Sequence, residues 1–172
     1  MTTPVGGSGS PAPSSVPGSR SDSANTFAAA WQVALAAEHQ AAFGYGLIGP
    51  RLTGSDRQLA RTCSADHDTI RTSIASAMAA AGMTPVAPEA DYPALYPVQD
   101  TAAARRVAVR LENACAAGWR FLYAQCVASA AAPARTLRSD AQRQLTAAAV
   151  RGSRWRAVID PAKATTAFPG ID

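Results

Sequence analysis

The chain has 172 residues, enough for one domain, and is 48% apolar but only 6% aromatic, so its apolar content is carried largely by Ala. Ala loses no side-chain entropy in a helix, and runs of β-branched and aromatic residues are absent; the composition therefore argues against a sheet and for a slim all-α bundle. The net charge of +4 is uneven: residues 1–99 carry five Arg and seven acids (net −2), and residues 100–172 carry ten Arg, Lys163 and five acids (net +6). Solvated helix faces commonly carry an excess of this size, so nucleic acid is not the expected partner.

Residues 1–23 are rich in Gly, Pro and Ser with almost nothing to bury, and are expected to be a disordered tail ahead of a domain over 24–172. The start lacks the charged end and apolar run of a signal peptide. No uncharged stretch is long enough to span a bilayer. A cytoplasmic location without a membrane segment is the expectation.

The first helix is expected from Ala24–Thr26 to Ile48, where Gly49-Pro50 stops it. Its inward stripe reads Phe27, Trp31, Leu35, Glu38, Ala42, Tyr45, Ile48, a helical period interrupted by Glu38. The second helix is expected to open with Ser55 or Asp56 and close at Gly82. Its stripe is Leu59, Cys63, His67, Ile70, Ile74, Met78, interrupted by His67.

Residues 83–99 contain Pro85, Pro88, Pro93 and Pro97 and cannot be one helix. In extended form the segment could span about 50 Å, the length of a bundle. The third helix is expected to begin near Asp100-Thr101 and to reach about Ala131, with Ala104, Ala108, Leu111, Cys115, Leu122 and Cys126 on its apolar face. Glu112 lies beside that face, flanked by Ala108, Cys115 and Trp119. Pro133 suits the first turn of a fourth helix whose stripe is Leu137, Ala141, Leu145, Ala148, Gly152, Trp155, Ile159. The basic run Arg151–Arg156 reads as the cation-favouring end of that helix, with Trp155 in the core.

Cys63, Cys115 and Cys126 all fall in apolar stripes, and an odd count without a pairing pattern speaks for buried thiols in a reducing compartment. Motifs for phosphate loops, paired CxxC, HExxH or a nucleophile elbow are absent.

Glu38, His67 and Glu112 come to similar heights if the helices are aligned. A buried carboxylate needs a partner. For Glu38 the candidates are a metal ion, His67, the Tyr45 hydroxyl or an inward Arg. His39 points about 100° away from Glu38 and cannot easily share an ion with it.

Glu38-His39 followed by Tyr45, His67 on the second helix, the proline-rich connection and the Ala-rich second helix pair resemble an actinobacterial ferritin-like family of unknown function. The resemblance covers roughly residues 25–170. It implies a ferritin-like four-helix bundle with a long Pro-rich crossover between helices 2 and 3, and it supplies no reaction. Ferritin-like di-iron proteins use a Glu on each of two helices and Glu-x-x-His on each of the other two. Here Glu38, His67 and Glu112 resemble three of those ligands. Ser64 stands where the second-helix Glu is required, and the fourth helix has no His.

Two readings stay open. Glu38, His67 and Glu112 hold a single Fe, Mn or Zn ion, as one His with two carboxylates can. Alternatively they form a metal-free network, with His67 between the carboxylates and Arg151 nearby. The matching functions are a metal-binding protein or metal-dependent oxidoreductase, or a non-catalytic module acting through packing or partner binding, with a homodimer as its simplest form. The sequence does not decide whether the protein is an enzyme.

Overall fold

The computed structural model describes residues 18–129 and 132–171, with side chains from residue 25 onward. The tail expected over 1–23 lies outside the described residues for 1–17. Four long helices make up the described chain: α1 (Gly18–Ile48), α2 (Gly54–Ala80), α3 (Thr101–Ala128) and α4 (Ala132–Ile159). Short 3₁₀ turns lie at Gly49–Arg51, Pro93–Leu95 and Pro161–Lys163, and no strand occurs among the described residues. No helix among them is long and apolar enough to cross a membrane.

α1 begins earlier than residues 24–26, where capping residues suggested a start. Once a helix exists, each added residue gains a backbone hydrogen bond at little cost, so a polar segment can extend it. α2 opens after Thr53, and neither Ser55 nor Asp56 caps it. Asp56 instead meets Arg105 of α3, whose Nε donates to its Oδ2 at 2.7 Å. The end of α2 follows the expectation. Gly82 takes φ +76°. Its N–H reaches the Ala79 carbonyl at 3.0 Å, and the Met83 N–H reaches Met78 at 3.0 Å. These bonds satisfy carbonyls that a helix terminus otherwise leaves open. At the start of α3, Asp100 accepts from the Ala103 N–H at 2.6 Å.

α3 packs along both α1 and α4, and α1 also packs on α2. Small residues permit the close approach. A Cβ on Gly118 would lie 3.3 Å from the Ala34 Cα and 3.5 Å from the Val33 carbonyl oxygen. Segment 81–100 lies against α1 over several turns. Gln32 donates to the Thr84 carbonyl and accepts from the Val86 N–H, both at 2.8 Å. Further along, Phe43 packs on Tyr92 with ring centroids 5.2 Å apart. Thr101 then closes onto the Arg51 carbonyl at 2.8 Å.

The core follows the expected stripes closely. Phe27, Trp31, Leu35, Tyr45, Ile70, Ile74, Met78, Leu111, Leu122 and Trp155 are buried, and so are all three free cysteines. Ile159 departs from its stripe: at the last turn of α4 it is 47% exposed.

Two glycine substitutions test this packing. Gly46 lies within α1, and a Cβ there meets nothing within 4 Å. Gly46→Ala should therefore raise stability by about 0.5–1 kcal/mol, since Ala orders more cheaply in a helix. Gly118→Val should lower it by about 1–3 kcal/mol by pushing α3 off the α1 backbone. Urea midpoints of the two variants, compared with wild type, check both signs.

Candidate functional site

The three polar residues that interrupt the apolar stripes meet at the centre of the bundle. Glu38 of α1 and His67 of α2 are fully buried, and Glu112 of α3 is 1% exposed. His67 lies between the carboxylates. Its Nδ1 is 2.7 Å from Glu38 Oε2 and its Nε2 is 3.1 Å from Glu112 Oε1.

The remaining carboxylate oxygens also have donors. Trp119 Nε1 donates to Glu38 Oε1 at 2.6 Å. Arg151 of α4 donates from Nε to Glu112 Oε2 at 2.9 Å. Trp155 Nε1 donates to the Tyr45 hydroxyl at 2.8 Å, and Tyr45 in turn donates to Glu112 Oε1 at 2.5 Å. An indole N–H can only donate, so the direction of this relay is fixed. The Tyr45 ring stacks on His67, with centroids 5.4 Å apart and planes 20° apart.

Proton positions follow from the partners. Each His67 nitrogen faces a carboxylate oxygen, which accepts when ionised, so the bonds are best satisfied when both nitrogens carry hydrogen. Burial, the largest influence on His67, lowers its pKa. The hydrogen bonds to Glu112 and Glu38 and their charges together outweigh it and raise the pKa from 6.5 to about 9. Burial likewise pushes Glu112 upward, but His67, Arg151 and Tyr45 together hold it below 4.5. The cluster thus sets two carboxylates, Glu38 and Glu112, against two basic groups, His67 and Arg151, and Arg151 Nη1 also lies 3.8 Å from Asp66 Oδ2.

Two thiols border the cluster. Cys115 Sγ is 3.5 Å from the Ala37 carbonyl, and burial, followed by the charges of Glu38 and Glu112, raises its pKa well above 9.0. Burial and the Glu112 charge push Cys63 up to about 11. Both therefore stay protonated near neutral pH and are poor nucleophiles. Cys115 also bears on the donor set. Single atoms of Glu38, His67 and Cys115 all lie within 4.8 Å of one another. Glu112 approaches from the other side of the imidazole.

His39 and Ser64, also considered from the sequence, fall outside the cluster. His39 is buried, and Nε2 donates to the Val86 carbonyl at 3.0 Å while Nδ1 has no partner among the described residues. It pins segment 81–100 to α1. Ser64 lines a surface groove beside Tyr45, and Asp140 and Gln144 line another beside Trp119. Tyr45, considered as a partner for Glu38, binds Glu112 instead. Glu38 takes the Trp119 indole, a pairing that the sequence reading did not anticipate. Its signal is spacing: Trp119 lies seven residues after Glu112, two turns on, so the two share a face of α3.

The geometry predicts a pH-dependent stability. A His held above its unfolded value contributes fully below about pH 6.5, and the contribution is lost as pH rises through about 9. Glu112, held low, acts in the opposite sense: its contribution is present above pH 4.5 and is lost as pH falls through its folded value. Urea unfolding from about pH 6 to about pH 8, below the range in which the unfolded thiols ionise, should show wild-type stability declining by about 2 kcal/mol. His67→Gln should start lower and stay flat across that window. Glu112→Gln should cost about 3–5 kcal/mol near neutral pH, because it leaves buried cations short of countercharge.

A family model described as a domain of unknown function, DUF4439, matches residues 30–172. The fold also resembles the crystal structure of a conserved hypothetical protein from Mycobacterium tuberculosis, with a TM-score of 0.69 and 30% sequence identity. That similarity covers 78% of this chain and 97% of the mycobacterial one. No curated protein matches the sequence significantly. With most of its length matched by the family model, the chain belongs to the DUF4439 family.

Proposed function

We propose that this chain is a non-catalytic ferritin-like module whose interior cluster is a metal-free structural network, and that it acts by pairing with a second copy. The observation that carries the first part is the closed set of hydrogen bonds that His67, Arg151, Tyr45 and Trp119 make to Glu38 and Glu112. Ferritin-like metal sites would use those carboxylates as ligands. Here every carboxylate oxygen already accepts a hydrogen bond. A divalent ion would have to take the His67 proton and then lie close to the Arg151 cation. The donors do not fit that task, because fixed positive charge occupies the place where the ion's charge would be needed.

The ferritin-like order is supported by the helix directions. Asp56 and His67 of α2 meet Arg105 and Glu112 of α3 in the same sequence order, so α2 and α3 run in parallel. Segment 81–100 then serves as the crossover between them. A bundle with one long crossover is the ferritin-like connectivity.

The partner-binding part rests on the outer face of α1. Between Ala24 and Ile48 the only ionisable side chains besides Tyr45 are Glu38 and His39, and all three are buried. The outer face is therefore uncharged: Val33 and Ala36 of α1, with Ala114, Ala117 and Gly118 of α3, line a shallow groove of about 470 Å³. Gln40 and Tyr92 also line it, and an uncharged, largely apolar patch of this kind marks an interaction surface. A second copy is the occupant that a neutral face suits in a chain of net charge +4, since a two-fold pairing places no like charges in contact.

One observation favours a second reading, a single Fe, Mn or Zn ion: Glu38, His67 and Cys115 converge within 4.8 Å. Metal analysis separates the two. The network reading expects less than about a tenth of an equivalent of transition metal after reconstitution with Fe(II), Mn(II) or Zn(II), and no change in melting temperature with chelator. A stoichiometric ion whose removal lowers the melting temperature would establish the second reading instead. For the pairing, light scattering at micromolar concentration should give a dimer for wild type and a monomer for Val33→Arg; a strict monomer for wild type across a wide concentration range would contradict it.

A further inference from the structure

A second polar and apolar constellation lies away from the interior cluster, where α3 begins and α4 ends. Arg106, Val109 and Arg110 of α3 join Arg156 and Ile159 of α4, with Asp160 and Lys163 beyond, around a groove of about 530 Å³. That volume falls within the range of small-molecule sites, about 300–1,000 Å³.

The charges here are not balanced. Four cations share the rim with one acid, Asp160, whose Oδ2 is already 3.5 Å from Lys163 Nζ. Arg106 and Arg110 stand one helical turn apart and make no hydrogen bond or ion pair among the described residues. Arg156 is held in place: Nε donates to the Ala164 carbonyl at 3.2 Å and Nη1 to Asn113 Oδ1 at 2.9 Å. Like charges around a concave surface repel one another and focus a positive potential, which an anion would relieve. Guanidinium groups suit carboxylate or phosphate oxygens in particular.

The apolar part of the lining narrows the ligand. Val109 and Ile159 lie among the cations, and Ile159 stays 47% exposed although its sequence pattern places it on the inward stripe. A simple inorganic anion would leave this surface uncovered. No aromatic residue lines the groove to stack a base, which speaks against nucleic acid.

We propose that this groove binds a small amphiphilic organic anion. Its single carboxylate or phosphate head meets Arg106, Arg110 and Arg156, and its apolar body covers Val109 and Ile159. The site is independent of the interior network, so the two readings fail separately.

Calorimetric titration of the full chain with octyl phosphate, below its micelle concentration, tests this. Saturable one-to-one binding is expected, at least about tenfold tighter than inorganic phosphate. Arg110→Ala should weaken it about tenfold, the size of one charge-assisted hydrogen bond. Ile159→Asp should abolish it. Both side chains are on the surface, and unchanged thermal melts would show the variants folded. The proposal is overturned by absence of saturable binding, by equal affinity for inorganic phosphate, by binding to phosphatidylglycerol vesicles alone, or by full binding in both variants.

Discussion

Two carboxylates, Glu38 and Glu112, are shut inside this bundle, and their charge has to be met where they stand. Water cannot reach them, and an isolated buried anion is far costlier than the margin by which a domain is stable. The His67 imidazole answers both at once by presenting one nitrogen to each. Arg151 supplies the second positive charge. The two Trp indoles and the Tyr45 hydroxyl complete the set with groups that carry no charge.

This constraint reaches the architecture. The seven residues of the network, Tyr45, His67, Trp119, Arg151, Trp155 and the two acids, come from all four helices, so a shift of any helix by one turn breaks at least one bond to a buried charge. Apolar packing between Ala-rich faces tolerates sliding, because one Ala resembles the next. Directional bonds to buried charge do not tolerate it. The network therefore selects the helix register, while close contacts such as Gly118 on Ala34 provide the packing. As a net stabiliser, a buried ion cluster contributes less than its bond count suggests, because desolvation offsets much of the attraction.

Much of the fold was legible because its signals are local. Helical periods, the Gly49-Pro50 break, the Gly82 terminus and Asp100 before α3 all act within a few residues. The interior positions of Glu38, His67 and Glu112 were legible for a related reason: each is a polar residue on or beside an apolar stripe. The pairing of partners was not. Whether Tyr45 turns to Glu38 or to Glu112, and which acid takes Trp119, depends on the relative heights of helices far apart in sequence, and periodicity carries no such information. The start of α1 and the exposure of Ile159 were misjudged at helix ends, where a stripe loses the neighbours that give it meaning.

Membership of a family whose function is undefined leaves chemistry as the guide to the centre of this molecule. The central claim is that His67 is an imidazolium bonded to two carboxylates. Nitrogen-15 spectroscopy of histidine-labelled protein at about pH 7.5, with His67 assigned through His67→Gln, tests this directly. The account predicts that both His67 ring nitrogens are protonated, with slowly exchanging N–H protons that a chelator leaves unchanged. A ring nitrogen without a proton, or resonances that move when metal is removed, would contradict it.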